Sequence, residues 1–200
     1  MAELPLFPLK TVLLPGNTLS LKIFEPRYLD MIAQCMREDS RFGIVLIFKG
    51  EEILSDTDIH SIGTTARISD WQDRADGLLG ITVLGLERFE IISTRILDNG
   101  LTMAKFNILD ESDEIEIPEQ FTYMQELLDH ISAQEGKTAA ENQSFSEMMY
   151  ALIFLLPLDT NLKQRLLEIP LCSDRALILH AELIRLGVIQ YIKPDMVFEK

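Results

Sequence analysis

The sequence predicts an α+β protein, with strands in its first half and helices in its second. Up to residue 117, short apolar or alternating segments are separated by turn residues. Beyond it, apolar residues recur every three to four positions, as in amphipathic helices. The acidic stretch Asp110–Glu119 lies between the two patterns. We therefore expect a β-rich part, residues 1–117, and a helical bundle, residues 118–200.

The strand candidates are short and evenly spaced, which favours a curled sheet or small barrel over an open parallel sheet. Thr18–Ile23 alternates polar and apolar residues, whereas Phe42–Phe48 is a continuous apolar run typical of a buried strand. Further strands are predicted at Thr64–Ser69, Leu79–Leu84, Arg88–Ser93 and Thr102–Ile108. Turns are predicted at Asp76-Gly77, Leu84-Gly85 and Asp98-Asn99-Gly100.

One helix is predicted among the strands. It begins at Pro26, because the first residue of a helix has no use for its N–H. Its buried face is predicted to comprise Tyr28, Met31, Ile32, Cys35 and Met36.

Capping residues mark the later helices. Ser144 and Glu147 form a capping box, and Asp159 or Thr160 is placed to cap the next helix. We expect Ser173 or Asp174 to cap the last one. Its inward-facing residues would be Ala176, Leu179, His180, Leu183 and Leu186.

The charge balance narrows the function classes. The chain has 200 residues, of which 32 are acidic and 18 basic, giving a formal net charge of -14. Such a surface repels the phosphate groups of nucleic acids and anionic membranes, so neither is an expected partner. Cys35 and Cys172 make no disulfide framework. With no signal-peptide pattern and no apolar run of spanning length, we expect a cytoplasmic protein.

Motifs for catalysis, phosphate binding and metal binding are missing from the sequence. No Gly-x-Ser-x-Gly or Gly-x-x-x-x-Gly-Lys segment occurs. His130 and His180 fall within helical patterns, and His60 has only Asp56 and Asp58 near it, too few ligands for a metal site. We therefore expect no catalytic residue, no cofactor and no metal.

Four residues are candidates for a binding role. Glu25, Arg27 and Tyr28 surround Pro26, and such a cluster is a catalytic site, a ligand clamp or a structural corner. The corner is favoured, because Pro26 fixes φ at a helix start and Glu25 lies at the positive end of the helix dipole. Arg27 can then bind a nearby carboxylate or carbonyl. Trp71, in a polar segment, either anchors a partner or covers a sheet edge.

Several motifs follow one another in an order typical of a known family. They are L-P-L-F-P-L at Leu4–Leu9, L-L-P-G at Leu13–Gly16, L-x-I-F-E-P-R-Y at Leu21–Tyr28, F-G-I-V-L-I at Phe42–Ile47, I-G-T at Ile62–Thr64, and G-L-E-R-F at Gly85–Phe89. The chain resembles the N-terminal substrate-recognition (LON) domain of the ATP-dependent Lon proteases over nearly its whole length. The resemblance implies a six-stranded pseudo-barrel of PUA-like type followed by a helical bundle.

The resemblance also implies a function. In Lon proteases this domain engages substrates and helps assembly, but the ATPase and serine–lysine peptidase modules have no counterpart in this sequence. We expect a stand-alone, non-catalytic protein that binds exposed polypeptide segments or a partner protein. The alternative is a small-molecule or RNA-binding module, since PUA-like barrels in other families bind RNA, although the charge of -14 disfavours RNA. An undetected enzyme ranks last.

Overall fold

A computed structural model describes residues 3–49, 58–73, 78–111, 116–134 and 143–189. The strands are β1 (Glu3–Leu9), β2 (Thr18–Ile23), β3 (Phe42–Lys49), β4 (Asp58–Ile59), β5 (Ile62–Asp73), β6 (Leu79–Ile96) and β7 (Thr102–Ile108). The helices are α1 (Pro26–Glu38), α2 (Thr122–Gln134), α3 (Phe145–Leu155), α4 (Thr160–Glu168) and α5 (Cys172–Arg185), with a 3₁₀ turn at Glu119–Phe121. The predicted α+β class is confirmed.

Five of the strands close into a barrel. The hydrogen-bonded order runs β1–β7–β6–β5–β3 and returns to β1 through a parallel β1–β3 pairing, whereas the other neighbours are antiparallel. β2 and β4 lie outside this ring, paired with β6 and β3 respectively. The described residues thus hold seven strands where the resemblance implied six.

The first strand was not predicted, because its two prolines lack the N–H that a sheet normally uses. Pro5 pairs with Met103 of β7, and Pro8 pairs with Val45 of β3. β1 changes partner between them, so each proline has a neighbouring strand on one side only. A proline is tolerated in a sheet under that condition.

The predicted turn at Leu84-Gly85 is wrong, because β6 runs through both residues as one strand of 18. Gly85 is needed there for another reason. The segment before β2 crosses β6 at this point, with the Gly16 N–H donating to the Gly85 carbonyl and the Gly85 N–H donating to the Asn17 carbonyl, each at 2.9 Å. A Cβ on Gly85 would lie 2.4 Å from the Leu14 carbonyl oxygen. The glycine therefore permits a close backbone crossing instead of a reversal.

Helix α1 begins at Pro26, as predicted, and packs on the barrel. Tyr28, Met31, Ile32 and Cys35 are buried among residues of the strands and form one core cluster with them. Met36 was predicted to join them but is 42% exposed. At about 100° of rotation per residue, Met36 lies roughly 90° from the centre of the face formed by the other four residues, and therefore at its margin.

The chain divides into two compact units, residues 1–110 and 111–200. The division falls within the acidic stretch, whereas we expected it after Ile117. In the second unit the capping box of Ser144 and Glu147 is complete, and the Asp159 carboxylate accepts a hydrogen bond from the Leu162 N–H at 2.9 Å. Both of these capping predictions are confirmed.

The start of α5 was predicted wrongly. The helix begins at Cys172, and the residue before it, Leu171, provides no side-chain cap. The Cys172 side chain is buried, and this residue belongs to the first turn of the helix. At the other end the helix finishes at Arg185, so Leu186 lies beyond it and is exposed. Gly187 follows with a φ of +73°, the left-handed conformation expected at a helix C-terminus.

A polar cluster lies inside the helical unit. The Arg175 side chain is 0% exposed and donates to the carbonyls of Leu166 at 3.0 Å and Ile169 at 2.9 Å. It also donates to the Ser146 hydroxyl at 3.2 Å, and that hydroxyl donates to the Glu111 carboxylate at 2.6 Å. One arginine therefore joins the end of α4 to α3 and to the residue that opens this unit.

Two predictions lie outside the described residues. They are the turn at Asp76-Gly77 and the position of Asp56 near His60.

Candidate functional site

The sequence from Ile23 to Tyr28 forms a corner between β2 and α1. Glu25 keeps an extended backbone, with φ −80° and ψ 132°, and its carbonyl accepts the N–H groups of Tyr28 and Leu29, each at 3.0 Å. Its carboxylate does not cap the helix. It accepts instead from Arg27, at 2.9 Å from Nε and 2.8 Å from Nη2. The Glu25 carboxylate and the Arg27 guanidinium, two residues apart in the chain, therefore form an ion pair.

Arg27 also binds a distant part of the barrel. Its Nη1 donates to the Gly100 carbonyl at 2.8 Å, in the turn between β6 and β7. Gly100 has a φ of +82°, and a Cβ placed there would lie 3.5 Å from Nη1, so the guanidinium packs closely on this turn. The side chain is 13% exposed. Arg27 therefore fastens the corner to a hairpin 73 residues away, which is a positioning role.

Tyr28 is a packing residue. Its ring stacks on Phe7 of β1 with centroids 4.2 Å apart, and the guanidinium carbon of Arg27 lies 4.7 Å from its centroid on the way to Gly100. The ring is buried, as predicted for the first residue of the helix stripe. Phe24, on the other side of Glu25, is 54% exposed. The corner thus turns one aromatic ring inward and leaves another at the surface.

A cleft of about 350 Å³ opens beside this corner. We name it the β2 cleft. It is bounded by the end of β1, the residues after it, β2 and the start of α1. Its lining residues are Phe7, Leu9, Lys10, Thr11, Leu19, Ser20, Leu21, Lys22, Ile23, Phe24, Glu25 and Tyr28. Seven of these twelve carry large apolar or aromatic side chains, so the walls suit an apolar ligand.

The β2 cleft runs along an open strand edge. Consecutive β2 residues point to opposite faces of the sheet, yet all five from Leu19 to Ile23 line the cleft. A cleft that contacts both sets of residues must follow the edge of the strand. On its other edge β2 pairs with β6, and no second partner strand for it exists among the described residues. A strand edge without a second partner strand presents backbone N–H and C=O groups with which an added strand can pair.

A second depression of about 320 Å³ contains Trp71. We name it the Trp71 groove. It follows the outer part of β5, which pairs with β6 but extends beyond the residues that pair with β3. Its lining residues are Cys35, Met36, Asp39, Ser40, Arg67, Ile68, Ser69, Asp70 and Trp71. Trp71 is 54% exposed, so its ring is accessible as an anchor. The end of α1 forms the other wall of the groove.

The structure therefore separates the predicted binding residues. Glu25, Arg27 and Tyr28 come together at the corner, with Glu25 and Tyr28 in the wall of the β2 cleft. Trp71 lines the other depression. Sequence reasoning missed Lys10, Lys22 and the open edge of β2. The alternation in Thr18–Ile23 shows that a strand forms, but which edge stays open depends on pairing with a distant segment.

Among the described residues, neither depression contains a cluster of side chains suited to metal binding or nucleophilic catalysis. Within the described ranges, no group of three or more His, Cys, Asp or Glu residues is placed to hold a metal ion. Cys35 lies in the wall of the Trp71 groove, and burial raises the pKa of its thiol, which favours the unreactive protonated form. Among the helices described, none is both long and apolar enough to cross a membrane.

A closed five-stranded barrel followed in the chain by a helical unit is the fold of a known family of domains. The model for the ATP-dependent protease La (LON) substrate-binding domain matches residues 3–185. The chain belongs to this family. The match is to the substrate-binding domain and not to a catalytic domain.

Solved structures agree with the family. A Lon N-terminal domain protein from Xanthomonas campestris is 30% identical, with a TM-score of 0.78, over 90% of this chain and 98% of that one. The N-terminal domain of a Mycobacterium avium complex Lon protease has a TM-score of 0.63 at 16% identity, over 89% of this chain and 96% of that one, which shows a shared fold.

Longer relatives contain the same region. Lon protease of Bacillus thuringiensis is 25% identical over 86% of this chain, and cereblon of Gallus gallus is 29% identical over 54% of it. The matched regions are 23% and 24% of those two proteins. The chain therefore spans about a quarter of the length of the curated relatives it matches.

Proposed function

We propose that this protein binds exposed, extended segments of other polypeptides, without catalysing a reaction, and that the β2 cleft is the binding site. The observation that carries the proposal is the cleft itself, which follows an open strand edge between apolar walls. Membership of a substrate-binding domain family supports the general class of function.

Strand addition is the binding mode that this geometry supports. An extended segment laid beside β2 would form main-chain hydrogen bonds with the edge, which require no particular sequence. Side chains on one face of the segment would contact Phe7, Leu19 and Leu21, adding apolar burial. Such a site accepts many sequences. The main-chain hydrogen bonds supply much of the recognition, and the walls of the cleft require only that the contacting side chains be apolar.

The candidate residues have different roles in this proposal. Tyr28 and Glu25 form the wall of the cleft beside the start of α1, and Arg27 holds the corner that carries them. Phe24, exposed at the rim, adds an aromatic surface for the ligand. Trp71 lies in a separate groove and would not contact a segment bound beside β2.

Fluorescence anisotropy tests the proposal with a labelled small protein whose fold depends on disulfides, because after reduction and alkylation such a chain stays unfolded at neutral pH. We expect saturable binding that Thr11→Trp weakens, since Thr11 is exposed and lines the cleft. Thr94→Trp is the matched control, because Thr94 is also exposed but lies on β6 opposite Ala104 of β7. Equal binding by both variants would place the site elsewhere, and no binding by the parent protein would overturn the proposal.

A further inference from the structure

We infer that the β2 cleft selects extended segments in which acidic residues alternate with apolar residues. The inference rests on the proposed function, because it names the class of polypeptide that the same cleft would take. It is carried by the charge of the cleft and by the side-chain alternation of β2.

The charge of the β2 cleft is opposite to that of the protein as a whole. The chain has a net charge of -14, yet two lysines, Lys10 and Lys22, line the cleft. The single carboxylate in the lining belongs to Glu25, and Arg27 already neutralises it at 2.8 Å. With two lysines against one carboxylate, the lining has a positive formal charge, which complements an acidic ligand.

The Trp71 groove shows that this charge is particular to the β2 cleft. Its lining contains Asp39 and Asp70 against one basic residue, Arg67. The two depressions lie beside β2 and β5, which pair with the two edges of the first part of β6, and they carry opposite signs of charge. An acidic segment would therefore prefer the β2 cleft to the Trp71 groove.

The alternation of β2 fixes which ligand side chains would be acidic. Thr18, Ser20 and Lys22 are exposed on one face of the strand. Leu19 and Leu21, on the other face, are partly buried and pack against the barrel core. In an added strand, the residue opposite Lys22 points to the same face as Lys22, and its chain neighbours point to the apolar face. Carboxylates at alternate positions would meet the lysine while the residues between them meet the leucines.

Long-range repulsion from the rest of the chain does not prevent this preference. The Debye length at physiological ionic strength is about 8 Å, so a bound carboxylate senses mainly the charges that line the cleft. An exposed ion pair is weak, so each lysine should change the affinity only a few-fold. The lysines therefore tune a binding event whose main part comes from the backbone and the apolar walls.

A panel of labelled 11-residue peptides tests the inference on the full chain. One peptide alternates Glu and Val, a second replaces Glu with Gln, and a third replaces Glu with Lys. Two further versions of the first carry N-methyl groups on one or the other alternate set of amides. We expect the Glu peptide to bind best, the Gln peptide about three- to tenfold more weakly and the Lys peptide more weakly still. One N-methylated version should lose binding and the other should keep it, since only one set of amides would face β2.

Charge reversal in the protein locates the effect. Lys22→Glu should remove the preference for the Glu peptide over the Gln peptide, whereas Lys105→Glu, an exposed lysine on the strand β7, should leave it unchanged. Circular dichroism would confirm that both variants are folded. The preference should also shrink as the salt concentration rises.

The outcomes separate the inference from the proposed function. If all three peptides bind equally, the protein binds polypeptides but the inference fails. If no peptide binds and the unfolded polypeptide does not bind either, the proposed function fails. A preference for Glu that survives Lys22→Glu, or that tolerates both N-methylated versions, would contradict recognition by strand addition at β2. Tighter binding of an RNA oligonucleotide, lost in Lys22→Glu, would also overturn it.

Discussion

The barrel corner and the helical unit both place an arginine over a tyrosine ring, but they enclose it to different degrees. The Arg27 guanidinium lies 4.7 Å from the centroid of Tyr28, and that of Arg175 lies 4.3 Å from the centroid of Tyr150. The Arg27 side chain is 13% exposed, whereas that of Arg175 is 0% exposed. The two motifs are alike in local chemistry and differ in access to water.

The difference changes what each arginine contributes to stability. Arg175 satisfies the carbonyls of Leu166 and Ile169 at the end of α4, where helical carbonyls lack intrahelical partners. Water cannot replace it there without opening the core. Arg27 binds Glu25 and one carbonyl at a surface corner, where water can replace part of what is lost. The enclosed arginine is essential to the packing of its unit, and the corner arginine positions the wall of a cleft.

Arg175→Ala should produce the largest effect. The substitution removes the guanidinium that donates to the buried Leu166 carbonyl and to the partly buried Ile169 carbonyl, and that lies 3.5 Å from the Glu111 carboxylate. We expect the free energy of unfolding to fall by about 3–5 kcal/mol, measured by urea denaturation. Arg185→Ala is the control, because that arginine is exposed and pairs only with Glu182 on its own helix among the described contacts. A loss below about 1 kcal/mol for Arg175→Ala would contradict the comparison.

Tyr123 tests how enclosed the polar groups of the helical unit are. Its hydroxyl lies 2.5 Å from Nδ1 of His180, and burial raises its pKa to about 12. Well below pH 10 both the folded and the unfolded state keep the proton, so the titration of Tyr123 does not change the unfolding free energy with pH. Between pH 10 and 12 the unfolded state loses its proton first, and the unfolding free energy should fall by about 1.4 kcal/mol per pH unit.

Denaturant titrations at several pH values between 9 and 11.5 measure this loss, with Tyr123→Phe as the comparison. The variant should lose less stability across the same range. An identical pH dependence in both proteins would show that the Tyr123 proton is held no more tightly in the folded state.

Arg27→Ala tests the corner directly. It removes the bonds to Glu25 and to the Gly100 carbonyl, so we expect a loss of about 1–2 kcal/mol in unfolding free energy. The affinity for the unfolded polypeptide should also fall, because Arg27 no longer holds the wall of the β2 cleft in position. If binding disappeared while the melting temperature stayed unchanged, Arg27 would be a ligand clamp and not a structural residue.

Ser144→Ala compares the two ways in which helices begin in this chain. The Ser144 hydroxyl accepts the Glu147 N–H, and the Glu147 carboxylate accepts the Ser144 N–H, whereas α1 begins without a side-chain cap. We expect a loss of about 1 kcal/mol by thermal or urea denaturation. Ser144→Thr should restore most of it, and an equal loss in Ser144→Thr would show that the cap is not the cause.

Trp71→Ala should have the smallest effect. Trp71 is 54% exposed, so its removal should change the unfolding free energy by less than about 0.5 kcal/mol. Binding of the unfolded polypeptide should stay within a factor of two of the parent protein. A loss of binding in this variant, measured by the same anisotropy assay, would transfer the proposed site to the Trp71 groove.

Local sequence signals predicted much of the fold. The bounds of β2 and β7, the start of α1 at Pro26 and the cap at Asp159 were predicted correctly, because each depends on residues within a few positions. The errors share another cause. Gly85 was predicted to form a turn, but it lies within β6 and makes room for a segment that crosses this strand. The residues next to Gly85 in the sequence do not indicate such a crossing. The binding role of Glu25, Arg27 and Tyr28 stays a prediction, and the sequence indicated neither the lysines of the β2 cleft nor the open edge of β2.

The α+β class, the family and the strand-to-helix corner at Glu25-Pro26-Arg27 can all be predicted from local sequence patterns. These follow from periodicity, proline and capping chemistry, and ordered motifs, which act over short stretches of chain. Tertiary contacts bring Arg27 to the Gly100 carbonyl, place Trp71 in a separate groove and leave β2 with one partner strand among the described residues. Strand pairing and side-chain burial depend on segments far apart in the chain, so the site they form appears only after folding.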